Sequence, residues 1–289
     1  MILEVAKYAI TCMVLICLAT TPASADEGPA IVLHFDEGSG TIAHDSSGNG
    51  NNGIIQDASW AEGISGTSLT FDGKQGNVDI ADSVSLRPQN FTLSVWIKPQ
   101  IKKSSIITQL PIVTKNTHET SKLDHGFSVY YTSFGINLQT AYGGSSNSAG
   151  LGVDLPVNTW SHIVTQYDGK NYIFYTNGER RNLGGHISPM LINYSADDLW
   201  VGKANSSICN HYNNTCQISY DYFNGSIDEL YLFSRILNSS EIQLLYSNQY
   251  YWTASKIGVF RNNKTWILDA SGNGVYGAGD PTYTFGTVG

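Results

Sequence analysis

Apolar and polar positions alternate with a period of two along most of this chain. In Phe91 to Lys98 the residues Phe91, Leu93, Val95 and Ile97 fall on one face, and Thr92, Ser94 and Trp96 on the other. Such alternation predicts strands, because successive side chains on an extended backbone point to opposite sides. Trp160 to Tyr167 and Tyr172 to Thr176 flank Asp168-Gly169-Lys170-Asn171, a hairpin signal with Gly in the turn. Asn177-Gly178 marks a second turn before a short strand at Glu179 to Leu183, and Gly126 to Tyr131 and Phe134 to Thr140 flank a third. Many strands punctuated by Gly, Asn and Asp predict an all-β sandwich. Trp96 and Trp160 lie in the strongest strands and are expected in its core.

One short helix stands out. Asn238 can cap it, Glu241 can return a bond to the cap's own N–H, and Ile242, Leu245 and Tyr246 share one face. After Tyr251 three short strands are expected, at Lys256 to Phe260, Lys264 to Leu268 and Thr282 to Phe285. Three such strands cannot bury a core of their own. They either rest on the sandwich or form one unit of a larger repeat.

The first residues carry a processing signal. Tyr8 to Ala19 is apolar, Lys7 precedes it, and Ala23-Ser24-Ala25 supplies a small-x-small cleavage pattern. Residues 1–25 are therefore expected to be a signal peptide, too short to span a bilayer comfortably. Glu4 weakens the basic end, so an uncleaved anchor is the alternative. No other segment is apolar enough to cross a membrane. The expected location is secreted, extracellular or cell-surface. Cys209 and Cys216, in a polar segment read as a loop, are expected to pair as a disulfide. Two free thiols are the alternative, and no His-x-x-His or second Cys pair supports zinc. Sequons recur, among them Asn90, Asn193 and Asn238, as in a glycosylated surface protein.

The formal net charge is −8 and charged residues make up 14%. Nucleic acid would want a basic face, so it is excluded as a partner class. The domain layout expected is a sandwich over residues 28–250 and a small β-rich appendage over 253–289.

Six pieces in order carry a family resemblance: Leu33 to Gly53 (LHFDEGSGTIAHDSSGNGNNG), SLTFDGKQGNVDI, FTLSVWIKP, NTWSHIVTQYDGKNYIFYTNGE, LWVGK and YFNGSIDELYLFSRILNSSEIQLLY. They span about Ala30 to Tyr246. The chain resembles the laminin G-like jelly-roll group of the concanavalin A-like lectin/glucanase superfamily. The tail is similar to single β-repeat units of large surface proteins. The resemblance implies a curved two-sheet antiparallel jelly roll with its first and last strands side by side. It also implies glycan or protein binding without catalysis, and a structural calcium where those strands meet. Asp36, Asp45, Asp72 and Asp228 are the carboxylates expected near that calcium, the alternative for each being a turn or strand-end role.

A second calcium loop is expected in the tail. Asp269, Ser271, Asn273 and Asp280 occupy positions 1, 3, 5 and 12 of a loop with Gly274 at position 6. Asx turns use the same residue types, so a plain turn is the alternative. Glycoside hydrolysis needs two carboxylates flanking one bond. The acidic pairs Asp36-Glu37, Asp197-Asp198 and Asp228-Glu229 are adjacent, and neighbours on a strand face opposite ways. No nucleophile elbow occurs, and the histidines are assigned no chemistry. The expected function is therefore a binding or adhesion module, with carbohydrate as the leading ligand and Trp60, Tyr130, Tyr131, Tyr142 and Tyr212 as exposed aromatic candidates. The alternatives are a glycoside hydrolase or lyase, and a structural surface or matrix protein contacting other proteins.

Overall fold

The computed structural model describes residues 28–101, 109–115, 125–142, 145–181, 191–210 and 215–247, and three short strands beyond them. In chain order the strands are β1 (Pro29–Leu33), β2 (Ile42–Ala43), β3 (Gly53–Gln56), β4 (Ser59–Glu62), β5 (Thr67–Asp72), β6 (Asn77–Ile80), β7 (Phe91–Pro99), β8 (Leu110–Lys115) and β9 (Gly126–Thr132). Then come β10 (Gly135–Tyr142), β11 (Ser145–Leu151), β12 (Ser161–Tyr167), β13 (Tyr172–Thr176), β14 (Glu179–Arg181), β15 (Leu199–Val201), β16 (Lys203–Asn210), β17 (Thr215–Tyr222), β18 (Asn224–Phe233) and helix α1 (Ser239–Tyr246).

Two antiparallel sheets form the sandwich. The first runs β14-β13-β12-β7-β18-β5-β4, with β1 also on β18; the second runs β11-β10-β9-β8-β15-β6-β3-β2. The core lies between them. Phe71, Phe91, Leu93, Val95 and Ile97 of the first sheet meet Val78, Ile80, Ile112, Phe127 and Leu138 of the second. The alternation that predicts these strands thus sets which side chains face inward.

Strand β7 is buried on its outer face as well, because helix α1 covers part of it. Val32, Val164, Tyr175, Tyr231 and Phe233 form a second apolar cluster with Leu237, Ile242 and Leu245. Burying two such aliphatic side chains of the helix contributes about 1.5–3 kcal/mol each. The helix starts where its sequence says: Asn238 accepts from Ser240 and Glu241 N–H, and Glu241 accepts from Asn238 N–H. Tyr246 stacks on Trp96 at 5.7 Å. Trp96 is in the core as expected, whereas Trp160 is half-buried under the Lys98 ammonium.

Strands β16 and β17 form a separate two-stranded ribbon. The polar segment expected as a loop around the cysteines is this ribbon, and its register sets Cys209 opposite Cys216. In the tail, β19 (Phe260–Arg261), β20 (Thr265–Ile267) and β21 (Thr282–Thr284) pair as a three-stranded antiparallel sheet. Among the described residues no helix is long and apolar enough to cross a membrane.

Candidate functional site

Strand β18 changes partner along one edge. Asn224 to Ile227 pair with β5, and Leu230 to Phe233 pair with β1. The handover falls on Asp228 and Glu229, where the register with β7 on the other edge is also irregular. Glu229 takes φ +47° there, the backbone signature of a bulge. The two acids turn to different neighbours. Glu229 accepts the Tyr231 hydroxyl at 2.6 Å and meets His34 Nδ1 at 2.9 Å. Asp228 is fully buried beside the 63–67 turn: Oδ2 accepts Ile64 N–H at 2.8 Å, and Oδ1 accepts Glu229 N–H at 2.9 Å.

The chain leaving β1 reaches the same turn. Asp36 Oδ1 accepts Thr67 N–H at 2.9 Å, and the Thr67 hydroxyl donates to the Phe35 carbonyl at 2.6 Å. Gly66, at φ +53°, lies so close to Asp36 that a Cβ there would meet Oδ1 at 2.0 Å. A Cβ on Gly63 would stand 2.5 Å from each of Asp228 Oδ2, the Ser65 carbonyl oxygen and the Thr67 carbonyl oxygen. These oxygens converge on one small space.

Burial pushes the Asp228 carboxyl up to about 8, and the charge of Glu229 adds to the shift. Burial lowers His34, but the Glu229 hydrogen bond and the charges of Glu229, Asp36 and Asp228 outweigh it, so His34 is raised. The nest is thus rich in oxygen, and burial keeps the Asp228 proton on until the pH approaches 8. Among the described residues no three His, Cys, Asp or Glu side chains gather to hold a metal ion. Here two of the converging oxygens are backbone carbonyls, a ligand type Ca²⁺ takes alongside carboxylates. Asp228 and the Ser65 and Thr67 carbonyls are oxygen donors of the kind calcium takes, and Asp36 binds the same turn through Thr67 N–H.

The structure brings Asp36 and Asp228 together and gives Asp45 and Asp72 to other turns. Asp45 accepts from the N–H groups of Val32, Ser47 and Asn51 and from the Ser47 hydroxyl. Asp72 accepts from Lys74 and Gln75 N–H, and those bonds lower its carboxyl. Both therefore organise turns. Asp269, Ser271, Asn273 and Asp280 lie outside the described residues.

The exposed aromatics need correction. Tyr130 and Tyr131 are 4% and 2% exposed, because both faces of β9 are covered. The Tyr131 hydroxyl accepts Leu155 N–H, and burial raises it. Trp60 is half-buried against the core, its indole N–H donating to the Gly40 carbonyl. Tyr142 is exposed at the end of β10, and Tyr212 lies outside the described residues.

A different aromatic surface is assembled on the outer face of the second sheet. Leu199 and Val201 point into the core, so Trp200 between them points out, paired with Asp79 on β6. Gly202, at φ +79°, then turns the chain into β16 against Phe71. The ribbon register sets Lys203 opposite Tyr222 and Asn205 opposite Tyr220. The Lys203 ammonium lies 4.6 Å from the Trp200 ring centre and 4.7 Å from that of Tyr220. Trp200 and Tyr220 meet edge to face at 6.4 Å, and Tyr220 lies 6.3 Å from Tyr222.

Polar groups border the rings. Asp79 accepts Asn77 Nδ2 at 2.8 Å and Gln56 Nε2 at 2.9 Å. Burial raises the Asp79 carboxyl against the opposing charge of Lys203. The outward Trp of LWV and the alternation in Tyr220-Asp221-Tyr222 were visible signals. The ribbon register that joins them was not.

Comparison with known proteins agrees with the fold. The family model Laminin_G_3, described as the Concanavalin A-like lectin/glucanases superfamily, matches residues 72–243, and the chain belongs to this family. No curated protein matches the sequence at a significant level. Among solved structures, domain 4 of an extracellular GH43 arabinanase from Geobacillus stearothermophilus, in complex with arabinotriose, superposes with TM-score 0.55 at 17% identity. That match covers 76% of this chain and 98% of the arabinanase domain. The binding domain of botulinum neurotoxin serotype G superposes with TM-score 0.56 at 18% identity, over 80% of this chain and 53% of the toxin domain. A botulinum neurotoxin DC binding domain in complex with SialylT gives 0.54 at 15% identity, over 84% and 57%. The chain thus spans little more than half of the toxin domains.

Proposed function

We propose that this protein is a secreted or cell-surface, non-catalytic carbohydrate-binding module with structural calcium. The observation that carries it is the outward surface of Trp200, Tyr220 and Tyr222 bordered by Asp79 and Lys203. Saccharide recognition pairs an aromatic face, which covers the ring's C–H groups, with polar side chains that hold hydroxyls. The arabinanase domain in complex with arabinotriose and the toxin domain in complex with SialylT support a carbohydrate ligand for this fold. The non-catalytic reading is supported by Asp228 and Glu229, buried acids that turn to different neighbours instead of sharing one cleft. Calcium is assigned to the Asp36–Asp228 nest by its convergent oxygens. A second calcium is assigned to the Asp269–Asp280 loop by spacing alone.

A glycan array combined with a reducing-sugar assay tests the reading. Binding without release of reducing ends is expected. Turnover of any polysaccharide would show an enzyme, and a blank array would turn the assignment toward a structural, protein-contacting role.

A further inference from the structure

The chemistry around Tyr220 selects among saccharides, a selectivity that rests on this surface being a carbohydrate site. Three carboxylates act on it. Asp79 feels the charges of Lys203 and Asp198, and Tyr222 feels those of Asp79 and Asp57. Against them stands the one ammonium of Lys203, held over two aromatic faces. Among these groups the carboxylates outnumber the ammonium.

The hydrogen-bonding inventory points the same way. Each Asp79 oxygen takes one amide donor, from Asn77 or Gln56, and a carboxylate oxygen has capacity for a second. Asp79 is thus a carboxylate acceptor with room for a ligand hydroxyl. Its complement is a ligand that brings hydroxyl donors and no charge. Beside Asp79 in the β3–β6 register lies Ile54, half exposed, whose apolar surface suits the C–H side of a sugar ring.

We propose that the surface formed by β6, β15 and the β16–β17 ribbon binds neutral saccharides and discriminates against sugars bearing carboxylate or sulfate groups. Tyr220, 47% exposed, is the stacking platform, and Asp79 accepts the sugar hydroxyls. An added carboxylate on the ligand is repelled by the like charge of Asp79. At an effective dielectric between that of a protein surface and bulk water this weakens binding about fivefold.

The test compares paired ligands that differ in one acid group, such as galactose with galacturonate and lactose with 3′-sulfolactose. Titration calorimetry on the exported full chain should show the neutral member of each pair binding about fivefold more tightly at low salt. The gap should shrink in 0.5 M NaCl, where exposed charges are screened. Asp79→Asn should narrow it, and Tyr220→Ala should weaken neutral binding about tenfold in a protein that still unfolds cooperatively. Tyr220→Phe, which keeps the ring, should restore most of that loss. An acidic member that binds as tightly as its neutral partner overturns the selectivity and leaves the carbohydrate reading intact. Full affinity in Tyr220→Ala overturns the location. No affinity for any saccharide removes the carbohydrate reading itself.

Discussion

Asp228→Asn tests the electrostatics of the nest most directly. The carboxyl is fully buried, and its folded value is about 8 against an ordinary 3.8. A raised acid holds its proton more tightly in the folded state. Its contribution to stability is complete below 3.8 and is lost as pH rises toward 8. Between pH 5 and pH 8, with calcium removed by EDTA, the loss integrates to about 3–4 kcal/mol at ~1.4 kcal/mol per pH unit. For a domain of this size that corresponds to roughly 7–15 °C in melting temperature. Wild type alone cannot display it cleanly. His162, fully buried, has its imidazole pushed down to about 3 by desolvation, so its contribution grows as pH rises to 6.5. The readout is therefore the gap between wild type and Asp228→Asn. The variant is expected to start below wild type at pH 5, because its amide NH2 must face one of the two donors, Ile64 N–H or Glu229 N–H, and to overtake or approach it at pH 8. Calorimetric melts in EDTA at several pH values measure this. A gap independent of pH would refute the buried-charge argument.

Calcium at millimolar concentration should raise the wild-type melting temperature relative to EDTA, more at pH 8 than at pH 5, and should raise that of Asp228→Asn by less, the remainder coming from the Asp269–Asp280 loop. Superimposed melts with no calcium by elemental analysis would leave Asp36 and Asp228 as turn-organising residues. Gly66→Ala should cost more than ~1 kcal/mol in equilibrium unfolding, since the site combines φ +53° with a Cβ contact 2.0 Å from Asp36; an unchanged midpoint would sink the close-approach argument. Asn238→Ala should lower stability by about 1 kcal/mol by removing the α1 cap, read as a shift in urea midpoint without change in slope. Intact mass after alkylation without reductant should show Cys209 and Cys216 unmodified, because opposed residues of an antiparallel pair lie at about disulfide spacing.

Much of the fold was legible because it is local. Period-two alternation located β7, β12 and β13, and Asn238 with Glu241 located the helix start. The nest was half legible. The acids at Asp36 and Asp228 could be named, but the bulge that turns Glu229 away, and the carbonyls of the 63–67 turn, depend on which strand pairs with which. Asp45 and Asp72 have the same residue type in equally Gly-rich surroundings, and only their hydrogen-bond partners separate them from Asp36. Two of the aromatic candidates, Tyr130 and Tyr131, are buried for a related reason. Tyr130 and Tyr131 alternate like a half-exposed strand, yet both faces of β9 are covered. Tyr220 matters through Trp200 and Lys203, residues joined to it by ribbon register.

The pairing of β1 with β18 sets how the sandwich bears load. Pro29 lies opposite Phe233, so the chain enters and leaves the sandwich at the same end of one antiparallel ladder. Tension applied through both flanking segments opens such a ladder as a zipper, one rung after another, instead of shearing all rungs together. Helix α1 follows β18, so Ile242 and Leu245 must leave their cluster first. The ladder then opens from Pro29 toward Leu33, and the carboxylate nest beyond Leu33 is reached last. A cation held there would act as the stop at the closed end of the zipper, and single-molecule pulling in calcium and in EDTA would separate the two force thresholds.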